Sequence, residues 1–297
     1  MPWIQIFIDT QKDYAETIED LFLETGAVSV TLADAEDTPV FEPELGTTPI
    51  WANTRISALY TADRDTDAIL QQLQQGTINL ADSPLTFKAE ILEDKDWERE
   101  WMDNFHPIQC GTRLWICPSW REPPEQSAVN LLLDPGLAFG TGTHPTTFLC
   151  LKWLDGQNLT DKNIIDYGCG SGILAIAAIL LGAKKALGTD IDPQAILASR
   201  DNAQRNGVAD DRFELYLPKD VPADRPPCDL LLANILAQPL LKLAPEIAAM
   251  TQSGSLLALS GIINHQAQEI IERYAEWFDL NPPEYKDEWT LITGVRK

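Results

Sequence analysis

The sequence predicts an α/β protein of two domains, and three observations lead to that prediction. The chain has 297 residues, which suits two domains of ordinary size. The N-terminal third alternates strands and helices in the order βαββαβ, and a longer strand–helix alternation begins at residue 128. Tryptophan and proline are concentrated between these two parts. We therefore expect domains at residues 1–93 and 128–297, joined by a linker at residues 94–127.

The first domain is expected to be a small α+β domain of the ferredoxin-like type, because that fold has the element order βαββαβ. Its strands alternate apolar and polar residues, and Gly26 and Gly76 stand where the two helices should end. No chemical motif occurs in this part, so we interpret it as a substrate-recognition domain. The expected strands are 3–8, 28–32, 54–60 and 87–92, and the expected helices are 13–25 and 65–75.

The second domain has the pattern of a doubly wound α/β fold, in which helices cover both faces of a mostly parallel sheet. Apolar runs such as 229–233 are typical of strands that are buried on both faces. The expected strands are 129–133, 163–166, 185–189, 213–216, 229–233 and 255–260, with two short strands at 106–118 in the linker and a hairpin at 284–297. The expected helices are 145–155, 172–182, 193–206, 239–250 and 264–278.

The chain is strongly acidic. It has 45 Asp and Glu residues against 22 Lys and Arg residues, which gives a formal net charge of −23. Such a surface repels the phosphate backbone of nucleic acids, so direct nucleic-acid binding is not expected, and it attracts a basic partner. An excess of acid can also serve solubility alone, and the charge does not decide between these two interpretations.

Composition and cysteine usage favour a monomeric cytoplasmic protein. Hydrophobic residues make up 44% of the chain and charged residues 23%, as in globular proteins, and the longest apolar run, 173–181, is too short to cross a membrane. The first residues lack the basic start and apolar core of a signal peptide, and no long apolar edge is evident. The five cysteines include no Cys-x-x-Cys pair and the three histidines show no metal-binding spacing, so neither a disulfide scaffold nor a metal site is expected.

The strongest chemical signal is a glycine-rich turn between a predicted strand and a predicted helix. Gly168, Gly170 and Gly172 follow the strand that ends at Asp166. Glycines at alternate positions let a ligand approach the backbone closely, and the helix N-terminus behind them offers amide donors. Asp190 ends the next strand, where a carboxylate is placed to bind the two hydroxyls of a ribose.

A dinucleotide site shares these two features, but its turn has a different pattern. The dehydrogenase fingerprint is Gly-x-Gly-x-x-Gly, whereas this sequence has Asp-x-Gly-x-Gly-x-Gly. The carboxylate of Asp166 beside the turn would repel a pyrophosphate and suits a ligand that carries an ammonium group. We therefore favour a site for S-adenosylmethionine, with a purely structural turn as the alternative.

Three longer strings extend this signal. They are Asp-Pro-Gly-Leu-Ala-Phe-Gly-Thr-Gly-Thr-His-Pro-Thr-Thr from residue 134, Asp-Tyr-Gly-Cys-Gly-Ser-Gly-Ile-Leu-Ala-Ile-Ala from residue 166, and Ala-Asn-Ile-Leu-Ala from residue 233. With them the second domain resembles class I methyltransferases, and in particular the ribosomal protein L11 methyltransferase (PrmA) family. The first domain matches that family in element order and size. The resemblance implies a Rossmann-like, seven-stranded methyltransferase domain preceded by the ferredoxin-like domain.

The resemblance also implies a cofactor, a substrate and site residues. The cofactor is S-adenosyl-L-methionine, and the methyl groups pass to lysine side-chain and N-terminal α-amino groups of the basic, large-subunit ribosomal protein L11. A mobile linker would join the substrate-binding domain to the catalytic one. Carried over by position, the cofactor contacts are Thr147, Gly168, Asp190 and Asn234, and the glycine pattern adds Gly170.

Asn234 is the candidate catalytic residue. Methyl transfer to an amine needs the neutral amine, although a lysine amine has a pKa near ~10.4 and an α-amine one near ~8. A carboxylate beside the amine would hold its proton more tightly, whereas a neutral amide carbonyl can accept from the amine N–H without adding charge. Catalysis would then consist of positioning and desolvation.

Two further interpretations stay open. A methyltransferase for small molecules or nucleic acid would also need the glycine turn, but the separate N-terminal domain disfavours the first substrate and the acidic charge the second. A binding module with a vestigial cofactor site is the third interpretation, and the intact glycines, Asp190 and Asn234 disfavour it.

Two other features of the sequence carry expectations of their own. Asn281-Pro282-Pro283-Glu284 is similar to a motif of methyltransferases that modify planar nitrogens, but it lies near the end of the chain and is expected to form a turn. The segment 136–147 is rich in glycine and threonine and is expected to form a lid. Within it, His144 precedes Pro145 and is expected to shape a helix start rather than to act in catalysis.

Overall fold

The computed structural model describes residues 2–36, 38, 40, 48–78, 80, 85–93, 105–134, 142 and 144–297. The chain divides into two compact units, Met1–Met102 and Asp103–Lys297. Residues 105–127, which the sequence assigns to the linker, are grouped with the second unit, and residues 94–104 lie outside the described residues.

The first unit is a four-stranded antiparallel sheet with two helices. The chain order is β1 (Trp3–Gln11), α1 (Ala15–Glu24), β2 (Ser29–Asp34), β3 (Asn53–Thr61), α2 (Thr66–Gly76) and β4 (Lys88–Leu92). The strands lie in the order β2-β3-β1-β4, which agrees with the predicted βαββαβ arrangement. Alternate residues of β1 and β3 are buried and pack against the apolar faces of the helices. Phe22 of α1 and Tyr60 of β3 are among the largest side chains of this core.

The second unit is built on an eight-stranded sheet, one strand more than the seven that the resemblance implies, because the short strand Glu284–Lys286 also pairs with the strand Trp289–Arg296. Five neighbouring strands, β10-β9-β8-β11-β12, are parallel, and β15, β13 and β14 continue the sheet in antiparallel pairs. The predicted mostly parallel sheet is thus confirmed. The strands are β8 (Asn163–Tyr167), β9 (Lys185–Thr189), β10 (Phe213–Tyr216), β11 (Cys228–Asn234), β12 (Thr251–Ile263), β13 (Phe278–Leu280), β14 (Glu284–Lys286) and β15 (Trp289–Arg296).

Helices cover both faces of this sheet, as the doubly wound pattern predicts. One apolar cluster joins α3, α4 and α5 to one face, and a second joins α6 and α7 to the other. Helix α4 is apolar on nearly all sides and almost wholly buried. The helices are α3 (Pro145–Asp155), α4 (Ile173–Leu180), α5 (Pro193–Arg205), α6 (Ala237–Ala249) and α7 (Ala267–Tyr274).

The structure also differs from the sequence expectations in the pairing of two segments. Helix α7 ends at Tyr274, and Phe278, expected to be helical, begins β13 and pairs with Arg296 of β15. The strand expected at 129–133 is β7 (Val129–Leu132), and it joins a small separate sheet with β5 (Ile108–Cys110) and β6 (Leu114–Cys117). Both differences depend on which partner an apolar segment finds, and local periodicity carries no information about that.

The connection from β10 to β11 is unusual for a parallel sheet. It passes two intervening strands, β9 and β8. Residues 217–227, which are all described, nevertheless form no α-helix and contain only a short 3-10 turn at Pro218–Asp220. Parallel strands are usually joined by a helix that covers the sheet. Here a proline-rich loop stands in that place.

Two further findings concern the interior. All five cysteines are buried thiols of the second unit, and burial raises the pKa of Cys110, Cys150 and Cys228 to about 12. None of the described helices combines the length and the apolar character needed to cross a bilayer.

Asp155, at the end of α3, ties that helix to the turn between β5 and β6. Its Oδ2 accepts hydrogen bonds from the Thr112 amide at 2.6 Å and the Thr112 hydroxyl at 3.0 Å, and its carboxylate also accepts from the Arg113 amide at 3.2 Å. The side chain of Asp155 is buried, and Arg113 adds an ion pair at 3.4 Å.

We expect Asp155→Asn to lower the free energy of unfolding by about 1–3 kcal/mol, because an amide group then faces buried N–H donors. Urea unfolding measures this change. Asp210→Asn, at an exposed position, is the matched control and should leave the value unchanged. Equal effects of the two substitutions would contradict the assigned role of Asp155.

Candidate functional site

The predicted site residues come together at one edge of the large sheet. Strands β9, β8 and β11 are adjacent and parallel, so their carboxyl ends meet there. Gly168 and Gly170 follow β8, Asp190 follows β9, and Asn234 is the last residue of β11. Crevices at this edge are the usual ligand sites of open α/β sheets.

The glycine turn is shaped by residues that leave no room for side chains. Gly168, Gly170 and Gly172 have φ values of 77°, 54° and 77°, in the left-handed region that favours glycine. A Cβ atom at Gly168 would overlap the side chain of Ile235, and one at Gly172 would lie 2.8 Å from Ser199 Oγ. Packing against the protein's own side chains therefore requires glycine at these two positions, and Gly168 and Gly170 stay partly exposed while Gly172 is buried.

Asp190 is fixed beside this turn. The Gly170 amide donates to Asp190 Oδ2 at 2.9 Å, and the Asp192 amide donates to Oδ1 at 3.0 Å. The carbonyl of the preceding residue, Thr189, accepts from the amides of Gly168 at 2.7 Å and Cys169 at 3.1 Å. Asp190 is half-buried, so its carboxylate has a set direction and keeps lone pairs for a ligand.

Thr147 and Asn234 are brought together from distant parts of the chain. Thr147 lies in the first turn of α3, and its buried hydroxyl accepts a hydrogen bond from Asn234 Nδ2 at 3.3 Å. Because the amide nitrogen of Asn234 is engaged in this way, its carbonyl oxygen is left as an acceptor.

Asp166 does not face solvent at the mouth of the turn, where its sequence position suggested it would meet a ligand. The side chain is 1% exposed, and Oδ2 accepts from the Ala175 amide in α4 at 3.1 Å. Oδ1 is buried with no hydrogen-bond partner among the described residues. Burial raises the pKa of Asp166 to about 7, and the nearby charge of Asp190 acts in the same direction.

Helix α5 supplies two side chains that the sequence analysis missed. Ser199 Oγ donates to the carbonyl of Gly170 at 2.9 Å, and Asn202 Nδ2 donates to the carbonyl of Ser171 at 2.9 Å. The two residues are three positions apart, so they share a helix face. Their polarity on the buried face of a predicted helix is the signal that could have revealed them.

Three other residues have structural positions. His144 caps α3, with its ring 4.8 Å from that of Trp289 between centroids, and burial lowers the pKa of His144. Cys169 is buried, and burial raises the pKa of its thiol, which disfavours a nucleophilic role. Of the predicted lid, residues 136–141 and 143 lie outside the described residues, and Gly142 packs against Ile116.

Comparison with known proteins assigns this arrangement to a family. The family model described as "Ribosomal protein L11 methyltransferase (PrmA)" matches residues 2–297. The chain belongs to this family. Curated relatives named "Ribosomal protein L11 methyltransferase" from Shewanella woodyi and Shewanella putrefaciens are 57% and 58% identical, each over 100% of both chains.

A solved structure agrees in fold. It is the ribosomal protein L11 methylase from Lactobacillus delbrueckii subsp. bulgaricus, with a TM-score of 0.59 and 34% identity, and the match covers 65% of this chain and 100% of that chain. The predicted family, the class I methyltransferase fold and the enzyme class are thus confirmed. The roles of Thr147, Gly168, Gly170, Asp190 and Asn234 stay predictions.

The raised pKa of Asp166 predicts a pH effect on stability. Between the unfolded value of 3.8 and about 7 the folded chain binds more protons than the unfolded chain, so this residue lowers the free energy of unfolding as the pH rises through that window. Asp166→Asn removes the effect, and its amide oxygen can still accept from Ala175.

Urea unfolding of the wild type and of Asp166→Asn at pH 5 and pH 8 measures it. We expect the free energy of unfolding of the variant, relative to that of the wild type, to be higher at pH 8 than at pH 5. A difference that is the same at both pH values would contradict the raised pKa.

Proposed function

We propose that this protein transfers methyl groups from S-adenosyl-L-methionine to lysine side-chain and N-terminal α-amino groups of ribosomal protein L11. The observation that carries the proposal is the amide of Asn234, oriented by Thr147 at 3.3 Å at the same sheet edge as the glycine turn and Asp190. Membership of the L11 methyltransferase family supports the substrate.

The residues at this edge fit S-adenosyl-L-methionine, which supplies an electrophilic methyl group on a sulfonium when it is bound. The glycine turn is partly exposed at Gly168 and Gly170, where its backbone can meet a ligand. The fixed carboxylate of Asp190 can accept from the two hydroxyls of a ribose. Thr147 and Asn234 would bound the end of the site that faces the methyl group.

Asn234 suits an amine acceptor because its carbonyl is polar and uncharged. The neutral amine can donate an N–H to this oxygen, which directs its lone pair towards the methyl group. A carboxylate in the same place would stabilise the ammonium form and so oppose the reaction. The bound donor would supply the methyl group, with its sulfur taking the electron pair of the broken bond, while Asn234 would hold the amine and the proton released from nitrogen would pass to solvent.

The charge of the chain is consistent with a basic protein substrate. A net charge of −23 would speed the encounter with such a protein and oppose binding to nucleic acid.

We propose that the first unit recognises the substrate, that residues 94–127 include the linker, and that the protein is a cytoplasmic monomer without direct nucleic-acid contacts.

Incubation of purified L11 with the protein and isotope-labelled S-adenosyl-L-methionine tests the substrate. Mass spectrometry should find labelled methyl groups on lysines and on the N-terminal amine. An RNA oligonucleotide and a free small amine, present in parallel reactions, should stay unlabelled. Label in the RNA or in the small amine alone would overturn the proposal.

A pair of substitutions tests the roles within the site. We expect Asn234→Ala to reduce kcat far more than it weakens cofactor binding, because the acceptor for the amine is lost. Asp190→Asn should do the reverse, since a charged acceptor for the ribose is lost. Steady-state kinetics and titration calorimetry measure the two effects, and equal losses in Asn234→Ala would reassign that residue to cofactor binding alone.

A further inference from the structure

A cavity lies in the catalytic unit next to the residues assigned to the methyl donor, and its lining is distinct from them. Its volume is about 340 Å³, within the range of pockets that hold small ligands. It is a half-open cavity bordered by the ends of β8 and β9, the last turn of α6 and the loop 218–227 that replaces a crossover helix. None of Thr147, Gly168, Gly170, Asp190 and Asn234 lines it.

The wall of this cavity holds polar atoms that the protein leaves unsatisfied. Thr189 is 2% exposed, and its Oγ1 has no hydrogen-bond partner among the described residues. The Nε atom of Arg225, from the loop, is likewise buried with no partner in the described part of the chain. Buried polar groups are nearly always hydrogen-bonded, so two such donors at one cavity point to a missing acceptor.

The lining also carries a negative charge, on Glu246. Glu246 of α6 accepts a hydrogen bond from the Tyr167 hydroxyl, with 3.3 Å between that oxygen and Oε1. Burial and, to a smaller extent, the negative charge of Glu246 raise the pKa of Tyr167 to about 12, so the phenol stays protonated and donates the hydrogen bond. The second carboxylate oxygen of Glu246 is available to a cation. The rest of the lining is apolar and includes Pro222 and Met250.

We propose that this cavity binds a zwitterionic α-amino acid with an aliphatic side chain. Its carboxylate would accept from Thr189 Oγ1 and Arg225 Nε, its ammonium group would meet Glu246, and its side chain would pack on the apolar lining. A simple anion would be repelled by Glu246 and a simple cation by Arg225, so both charges are needed on one ligand. The inference does not depend on the proposed function.

Titration calorimetry of the full chain with L-leucine tests the proposal. The titration is made with the cofactor site saturated by S-adenosylhomocysteine, so that binding there is excluded. L-leucine should give a saturable binding isotherm. Two analogues should bind at least about tenfold more weakly: L-leucinamide, which lacks the carboxylate, and 4-methylpentanoate, which lacks the ammonium group.

Isosteric variants locate the site. Thr189→Val and Glu246→Gln should each weaken leucine binding by about tenfold, since the first removes a hydrogen bond to the carboxylate and the second removes the negative charge that meets the ammonium group. The matched controls Thr31→Val and Glu269→Gln, at exposed positions, should leave it unchanged. Circular dichroism checks that each variant is folded, and Arg225→Gln replaces Thr189→Val if that variant is not.

Several results would overturn the proposal. They are the absence of heat with L-leucine, equal affinity for L-leucinamide or 4-methylpentanoate, and leucine binding that appears only without S-adenosylhomocysteine. Unchanged affinity in both Thr189→Val and Glu246→Gln would also overturn it, because the ligand would then lie elsewhere.

Discussion

The close packing around Ile235 is the constraint on which the site depends. This residue directly follows Asn234, and its side chain occupies the space that a Cβ atom at Gly168 would need. On its other side, a Cβ atom at Gly261, where φ is 81°, would overlap the backbone of Ile235. Two glycines from neighbouring parts of the sheet edge thus enclose one residue. The position of Asn234 relative to the glycine turn is therefore set by close packing of the Ile235 side chain at Gly168 and of the Ile235 backbone at Gly261.

A second layer of hydrogen bonds keeps the glycine turn in place. The Thr189 carbonyl holds its first amides, Asp190 holds the next, and Ser199 and Asn202 hold two of its carbonyls. Each contact satisfies a backbone group that a turn of alternating glycines leaves without a regular partner. Asp166 lies beneath this layer, and its buried carboxylate couples the turn to the first residues of α4.

Much of the fold and the centre of the site could be predicted from sequence. Periodicity and glycine punctuation indicate strands such as β8 and β9 because those signals are local. The glycine turn and Asp190 were also accessible, since consecutive parallel strands bring their ends to one edge. The partner of β13, the separate sheet that holds β7, and the contacts of Ser199 and Asn202 were not accessible. They depend on tertiary neighbours. The buried orientation of Asp166 was missed for the same reason, because a motif gives the residue and not the direction of its side chain.

The distribution of cysteine has an experimental consequence. All five thiols are buried in the second unit, and the first unit, residues 1–102, contains no cysteine in its sequence. Modification by an alkylating reagent therefore requires local or global opening of the catalytic unit, and unfolding of the N-terminal unit alone exposes no thiol. Pulsed alkylation with mass analysis can thus follow the opening of the second unit alone, because the first unit has no thiol to modify, and no engineered label is needed.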